Sequence, residues 1–244
     1  MSRITRSLLT AIGLTLAGTA GAQTRQSAPH ALDSIEQRVL PCSACHGAEG
    51  RATRDGYYPR IAGKPAGYLF NQLQNFRDHR RVNAQMTYLA QRQPDAYLME
   101  IAEHFARQDL PYPPPEAPRV AAGALARGEQ LVHQGDAGQQ LPACSRCHGE
   151  RLTGVAPAVP GLLGLPYDYL AAQLGAWREG TRHAHQPDCM AVIAERLSAD
   201  DIGAVAGWLA AQPMPADTHP AAAQAAPLPI DCGGLAPAIQ RSAP

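Results

Sequence analysis

Cys42-Ser43-Ala44-Cys45-His46 and Cys144-Ser145-Arg146-Cys147-His148 repeat one pattern, C-x-x-C-H, at two places in a chain of 244 residues. C-x-x-C-H is the attachment signature of c-type haem. Two thiols add to the vinyl groups of the porphyrin, and the imidazole binds its iron. On a helix, positions i, i+3 and i+4 share one face. Cys42, Cys45 and His46 can therefore address one macrocycle, and Cys144, Cys147 and His148 a second. Two other readings compete. A zinc ribbon spaces its cysteine pairs by roughly 15–20 residues, whereas these motifs lie about a hundred apart. A thioredoxin-like dithiol needs a βαβ setting, and no strand-like run accompanies either pair. The expectation is two covalently bound haem c groups, with His46 and His148 as iron ligands.

The N-terminus points to the compartment where such attachment takes place. Arg3 and Arg6 form a basic region, Leu8 to Ala20 an apolar one, and Ala20-Gly21-Ala22 a small-residue cleavage site. Residues 1–22 thus read as a cleaved signal peptide, and the expected location is the periplasm. The apolar stretch is short for a membrane span, and no later segment reaches spanning length, so at most peripheral membrane association is expected. Loss of Arg3 and Arg6 would leave 19 basic residues against 21 acidic. There is no basic excess to suggest nucleic acid. Three Phe and two Trp are few for two protein cores, and two haems would supply the missing apolar mass.

Beyond the motifs, the chain repeats itself. Tyr68-Leu69-x-x-Gln72-Leu73-x-x-Phe76-Arg77 matches Tyr169-Leu170-x-x-Gln173-Leu174-x-x-Trp177-Arg178, and Arg81 matches Arg182. Met86-x-x-Leu89-Ala90-x-Arg92 matches Met190-x-x-Ile193-Ala194-x-Arg196. A Pro followed by a short apolar stretch and Gly recurs after Pro59 and Pro160. Apolar residues at helical spacing predict helices through Tyr68–Phe76, Leu98–Phe105 and Ile202–Leu209. Ser198 followed by Asp201 reads as a helix start. Domain one should span 23–108 and domain two 119–211. The Pro-rich run 109–118 reads as a semi-rigid linker, and 212–244 as a Pro- and Ala-rich surface tail.

At this point each half resembles a small class I cytochrome c. The tandem pair is similar to the dihaem cytochrome c4 family, with Arg81-x-Asn83-x-x-Met86 and the Leu197-Ser198-x-x-Asp201-Ile202 helix start, over roughly residues 35–211. The resemblance implies an all-α fold of two tandem class I cytochrome c domains related by pseudo-twofold symmetry. It implies Met86 and Met190 as distal iron ligands, each in a short loop before the last helix. It also implies that Pro59 and Pro160 each present a carbonyl to the proximal His. His79, His183 and His185 compete for the distal positions. Met99 reads as core packing and Met214 as a tail surface residue. A His/Met pair leaves no open iron position, so single-electron transfer is the expected role. The implied partners are redox proteins: a terminal oxidase, a quinol-oxidising complex or a dehydrogenase. The alternatives are a cytochrome subunit of a dehydrogenase and, from another class, a dihaem peroxidase or sulfur-oxidising enzyme.

Four haem thiols leave Cys189 and Cys232. An exported protein rarely keeps free thiols, so a Cys189–Cys232 disulfide is expected, clipping the tail to the loop beside Met190. Two unpaired thiols, or Cys189 as an iron ligand, are the competing readings.

Overall fold

Apolar residues at helical spacing govern what forms here. A computed structural model describes residues 33–53, 56–223 and 227–235. The signal segment 1–22 lies outside the described residues. In the first half, α1 (Ile35–Arg38) leads into α2 (Leu40–His46), followed by α3 (Ala66–Arg77), α4 (Ala84–Ala90) and α5 (Asp95–Ala106). The second half repeats the order with α6 (Ala122–His133), α7 (Ser145–His148), α8 (Tyr167–Arg178), α9 (Cys189–Arg196) and α10 (Ala199–Ala210). Apart from isolated bridges, the extended structure among the described residues is a ribbon of two antiparallel two-residue strands, β1 (Gly154–Val155) and β2 (Val159–Pro160).

The predicted helices through Tyr68–Phe76, Leu98–Phe105 and Ile202–Leu209 are α3, α5 and α10. Helix α6 went unread in the sequence, because Gly128 interrupts its Leu125, Leu131 and Val132 stripe. That glycine lets α6 cross α10 closely: a Cβ there would lie 2.2 Å from the Ala204 carbonyl oxygen. Each half has its own apolar cluster. All three Phe residues of the described chain belong to the first, while the second is built mainly from Leu, Val and Ile. Met99 packs against the first cluster as expected. Met214, expected at the surface, instead packs half-buried against the second cluster, because the chain after α10 folds back over it. Both halves lie in one compact unit that begins at Asp33.

Helix α10 starts as its sequence suggests. The Ser198 side chain accepts from Asp201 N–H, and Asp201 accepts in return from Ser198 N–H, a full capping box. Asp201 also receives Arg127 Nε at 2.8 Å and Gln139 Nε2 at 3.3 Å. Burial opposes ionisation of this carboxyl, but the donors from Arg127, Ser198 and Gln139 prevail and bring it down to about 2. A depressed carboxylate contributes stability that is complete above its unfolded pKa of about 3.9 and lost as pH falls through the folded value. Acid unfolding of the Asp201→Asn variant should therefore be less steep between pH 4 and 2 than that of the parent. Circular dichroism across that range checks it; an unchanged profile would deny Asp201 this role.

Candidate haem sites

The two C-x-x-C-H motifs end two short helices, α2 and α7. Each helix is stopped by a glycine at positive φ, Gly47 at 77° and Gly149 at 83°. A side chain at Gly47 would meet the Ala52 carbonyl oxygen at 2.4 Å. The turn that follows returns the chain so that His46 Nδ1 lies 2.8 Å from the Pro59 carbonyl oxygen. In the second half His148 Nδ1 lies 2.8 Å from the Pro160 carbonyl oxygen. With the proton on Nδ1, each ring donates to its carbonyl and turns Nε2 away as a neutral ligand. Burial lowers both imidazole pKa values and outweighs the carbonyl's opposing pull; the charge of Arg81 near His46 and of Lys64 near His148 adds to the lowering.

A cavity of about 1160 Å³ runs through both halves, beyond the usual range of a single small-molecule pocket. His46, Cys42, Cys45 and Met86 line it in the first half, and His148, Cys144, Cys147 and Met190 in the second. Met86 and Met190, expected on loops, sit instead in the first turns of α4 and α9. Asn83 caps α4 by accepting from Met86 N–H at 3.0 Å, and Asp188 caps α9 by accepting from Ala191 N–H at 3.1 Å. These caps form helices where a loop was expected, and the Asn83 and Asp188 signals were present but unused. Of the competing histidines, His185 also lines the cavity, with Nε2 3.3 Å from Arg80 Nη2. His79 and His183 are exposed.

The halves meet about a local twofold. Arg81 and Arg182 form an antiparallel bridge. Val82 N–H donates to the Thr181 carbonyl, and His183 N–H to the Arg80 carbonyl. Arg81 donates to Gln72 and Gln173 at 3.0 and 2.6 Å, and Arg182 to Gln173 and Gln72 at 2.7 and 3.0 Å. Arg81 stacks over Phe76 and Arg182 over Trp177, at 4.7 and 3.6 Å from the ring centroids. Sequence alignment of the halves had paired these residues without revealing that they touch. Arg182 is 3 % exposed, and burial, followed by the charge of Arg81, pulls it down to about 10.

Haem is a flat apolar ring that carries two carboxylates, and the cavity suits it. Its walls are mostly apolar. The hydrogen bonds of Arg81, Arg182 and Lys64 go to neutral oxygens, and among the described residues none of the three pairs with a carboxylate. Trp177 Nε1 is the one buried side-chain N or O without a partner among the described residues. Burial pushes the Cys42 thiol up to about 11 and Cys144 up to about 12, which suits thiols set in an apolar wall better than thiolates awaiting zinc. Among the described residues no three His, Cys, Asp or Glu side chains converge as a metal would need.

No family model matches the chain. It is 37 % identical to a thiosulfate dehydrogenase electron acceptor of Thiomonas intermedia, over 77 % of this chain and 86 % of that protein. It is 34 % identical to cytochrome c4 of Pseudomonas aeruginosa, over 86 % of this chain and 98 % of that protein. The reduced cytochrome c4 structure from Pseudomonas stutzeri aligns with a TM-score of 0.63 at 28 % identity, covering 72 % of this chain and 96 % of that one. The thiosulfate dehydrogenase TsdBA of Marichromatium purpuratum aligns with a TM-score of 0.63 at 33 % identity, covering 71 % of this chain and 36 % of that longer one.

This chain belongs to the cytochrome c4 family. Its fold is that of two tandem cytochrome c domains, and it is a dihaem c-type cytochrome with two covalently attached haems. It is an electron carrier rather than an enzyme, and it exchanges electrons with redox partners.

One feature departs from the plain duplicate. A disulfide joins Cys189, at the start of α9, to Cys232 in the tail, 43 positions later. Gly233 N–H then donates to the Pro187 carbonyl at 2.9 Å, and the Gly234 carbonyl accepts from Asn71 Nδ2 of α3 at 2.6 Å. Leu228 and Ile230 close on the same cavity. The tail is thus a strap from the Met190 turn to the first half. Closing such a loop stabilises by roughly 3–4 kcal/mol in the chain-entropy model. Cys232→Ser should lower the melting temperature of the holoprotein. Thermal melts of the two proteins followed by circular dichroism read this; an unchanged melting temperature would argue against it.

Proposed function

We propose that His46 with Met86, and His148 with Met190, hold the two haem irons, and that Cys42, Cys45, Cys144 and Cys147 carry the thioether links. One observation carries the ligand assignment: the two His/Met pairs, equivalent in the internal repeat, line one cavity, and both His residues are held by matching prolyl carbonyls. Bound haem supplies an iron that accepts and returns one electron. The chain's own part is to orient each imidazole, keep it neutral and exclude water with apolar walls. A thioether paired with His as the iron ligands would raise the reduction potential. Met86→His should lower the potential of one haem, leave the other nearly unchanged and remove half of the charge-transfer intensity. Full intensity after changing both Met86 and Met190 would reject the assignment.

We further propose that the donor is a dehydrogenase of the periplasm, reached through the signal peptide at residues 1–22. The named relatives support this: one is an electron acceptor of thiosulfate dehydrogenase, and another is part of a longer chain that bears that enzyme's name. Stopped-flow mixing of the oxidised holoprotein with a thiosulfate dehydrogenase and thiosulfate should reduce both haems within the enzyme's turnover time. Reduction no faster than by thiosulfate alone would point to a different donor.

A further inference from the structure

The internal repeat breaks at one buried position. Gly63 and Gly164 match, both at positive φ, as do Pro65 and Pro166. Between them the first half has Lys64 and the second Leu165. Leu165 lies in the apolar core of its own half. Lys64 is 5 % exposed, yet its ammonium does not bond within its own half. Nζ donates across the joint to the Gly161 carbonyl at 3.3 Å. Gly161 directly follows Pro160, whose carbonyl holds the His148 ring.

An ammonium is costly to bury without a countercharge. Arg81 and Arg182 are equivalent in the internal repeat and bridge to each other across the joint. Lys64 has no such mate. The aligned pair Phe76 and Trp177 leans the same way, because only the second half offers a buried N–H, from Trp177 Nε1, with no protein partner among the described residues.

We propose that Lys64 of the first half supplies a fixed positive charge to the second haem and raises its reduction potential. A nearby cation favours the iron state with one fewer positive charge, and in a buried setting salt screens it little. This proposal rests on the ligation assigned above.

The test uses the full-length holoprotein at pH 6, where the Lys64 ammonium, with a pKa brought down to about 8 by burial and next by Arg60, is charged. Spectroelectrochemistry resolves the two potentials, and the haem whose spectrum changes in Met190→His is the second. Lys64→Met should lower the potential of the second haem, with the first haem moving much less. Lys64→Arg should keep the potential of the second haem. Lys64→Gln offers an uncharged variant that retains a polar group for the Gly161 carbonyl, so lost packing and lost charge separate. Equal movement of both haems, or no movement, overturns the proposal. A wild-type protein with fewer than two haems, or without Met ligation, would overturn the ligation assignment first and this inference with it; that result appears before any Lys64 variant is made.

Discussion

Two guanidinium groups of like charge, Arg81 and Arg182, stand together at the joint between the halves. Their hydrogen bonds go to Gln72, Gln173 and Tyr169, all neutral. Like charges in a low-dielectric setting repel, so this arrangement calls for anions close by. Arg81 and Arg182 line the cavity and would hold haem carboxylates there, so that bound cofactors would complete the interface as well as the two cores. The bridge between Arg81 and Arg182 sets α3 and α8 about a local twofold, and the rest of each half hangs on those helices. The joint and the haem sites are parts of one polar and apolar arrangement.

On this duplicated frame the chain has made its halves unequal. The first core uses Phe where the second uses Leu, Val and Ile. Lys64 replaces an apolar residue and looks across the joint. The distal turn of the second half is longer, is anchored by Asp188 and is tied by Cys189 to a tail strap that reaches Asn71. Exposed large apolar side chains, including Val82, Tyr88 and Leu89 near Met86, lie in the first half. An electron carrier with two identical sites has no internal direction. These differences give the two sites different surroundings while leaving the proximal geometry the same.

Much of this was legible in the residues. The motifs C-x-x-C-H specify covalent attachment because two thiols and an imidazole must share one helical face, a local requirement. The internal repeat, the helices α3, α5 and α10, and the Ser198 cap follow from short-range spacing and hydrogen bonding. Asn83 and Asp188 were equally local cues, but a family expectation of loops hid the helices they cap. Met214 could not be placed from the sequence, because its burial depends on the chain turning back after α10.

What only the tertiary structure decided concerns groups distant in sequence. The repeat aligned Arg81 with Arg182, but nothing in an alignment states that equivalent residues touch; a twofold axis passing between them makes it so. Lys64 reads as an ordinary surface lysine until Gly161, 97 residues away, is seen to cover it. By itself the sequence determined that two haems attach covalently, since each C-x-x-C-H motif is set within a few residues of chain. The charge around each iron was decided by packing, because electrostatic interactions depend on distance in space and on burial, and neither is written along the chain.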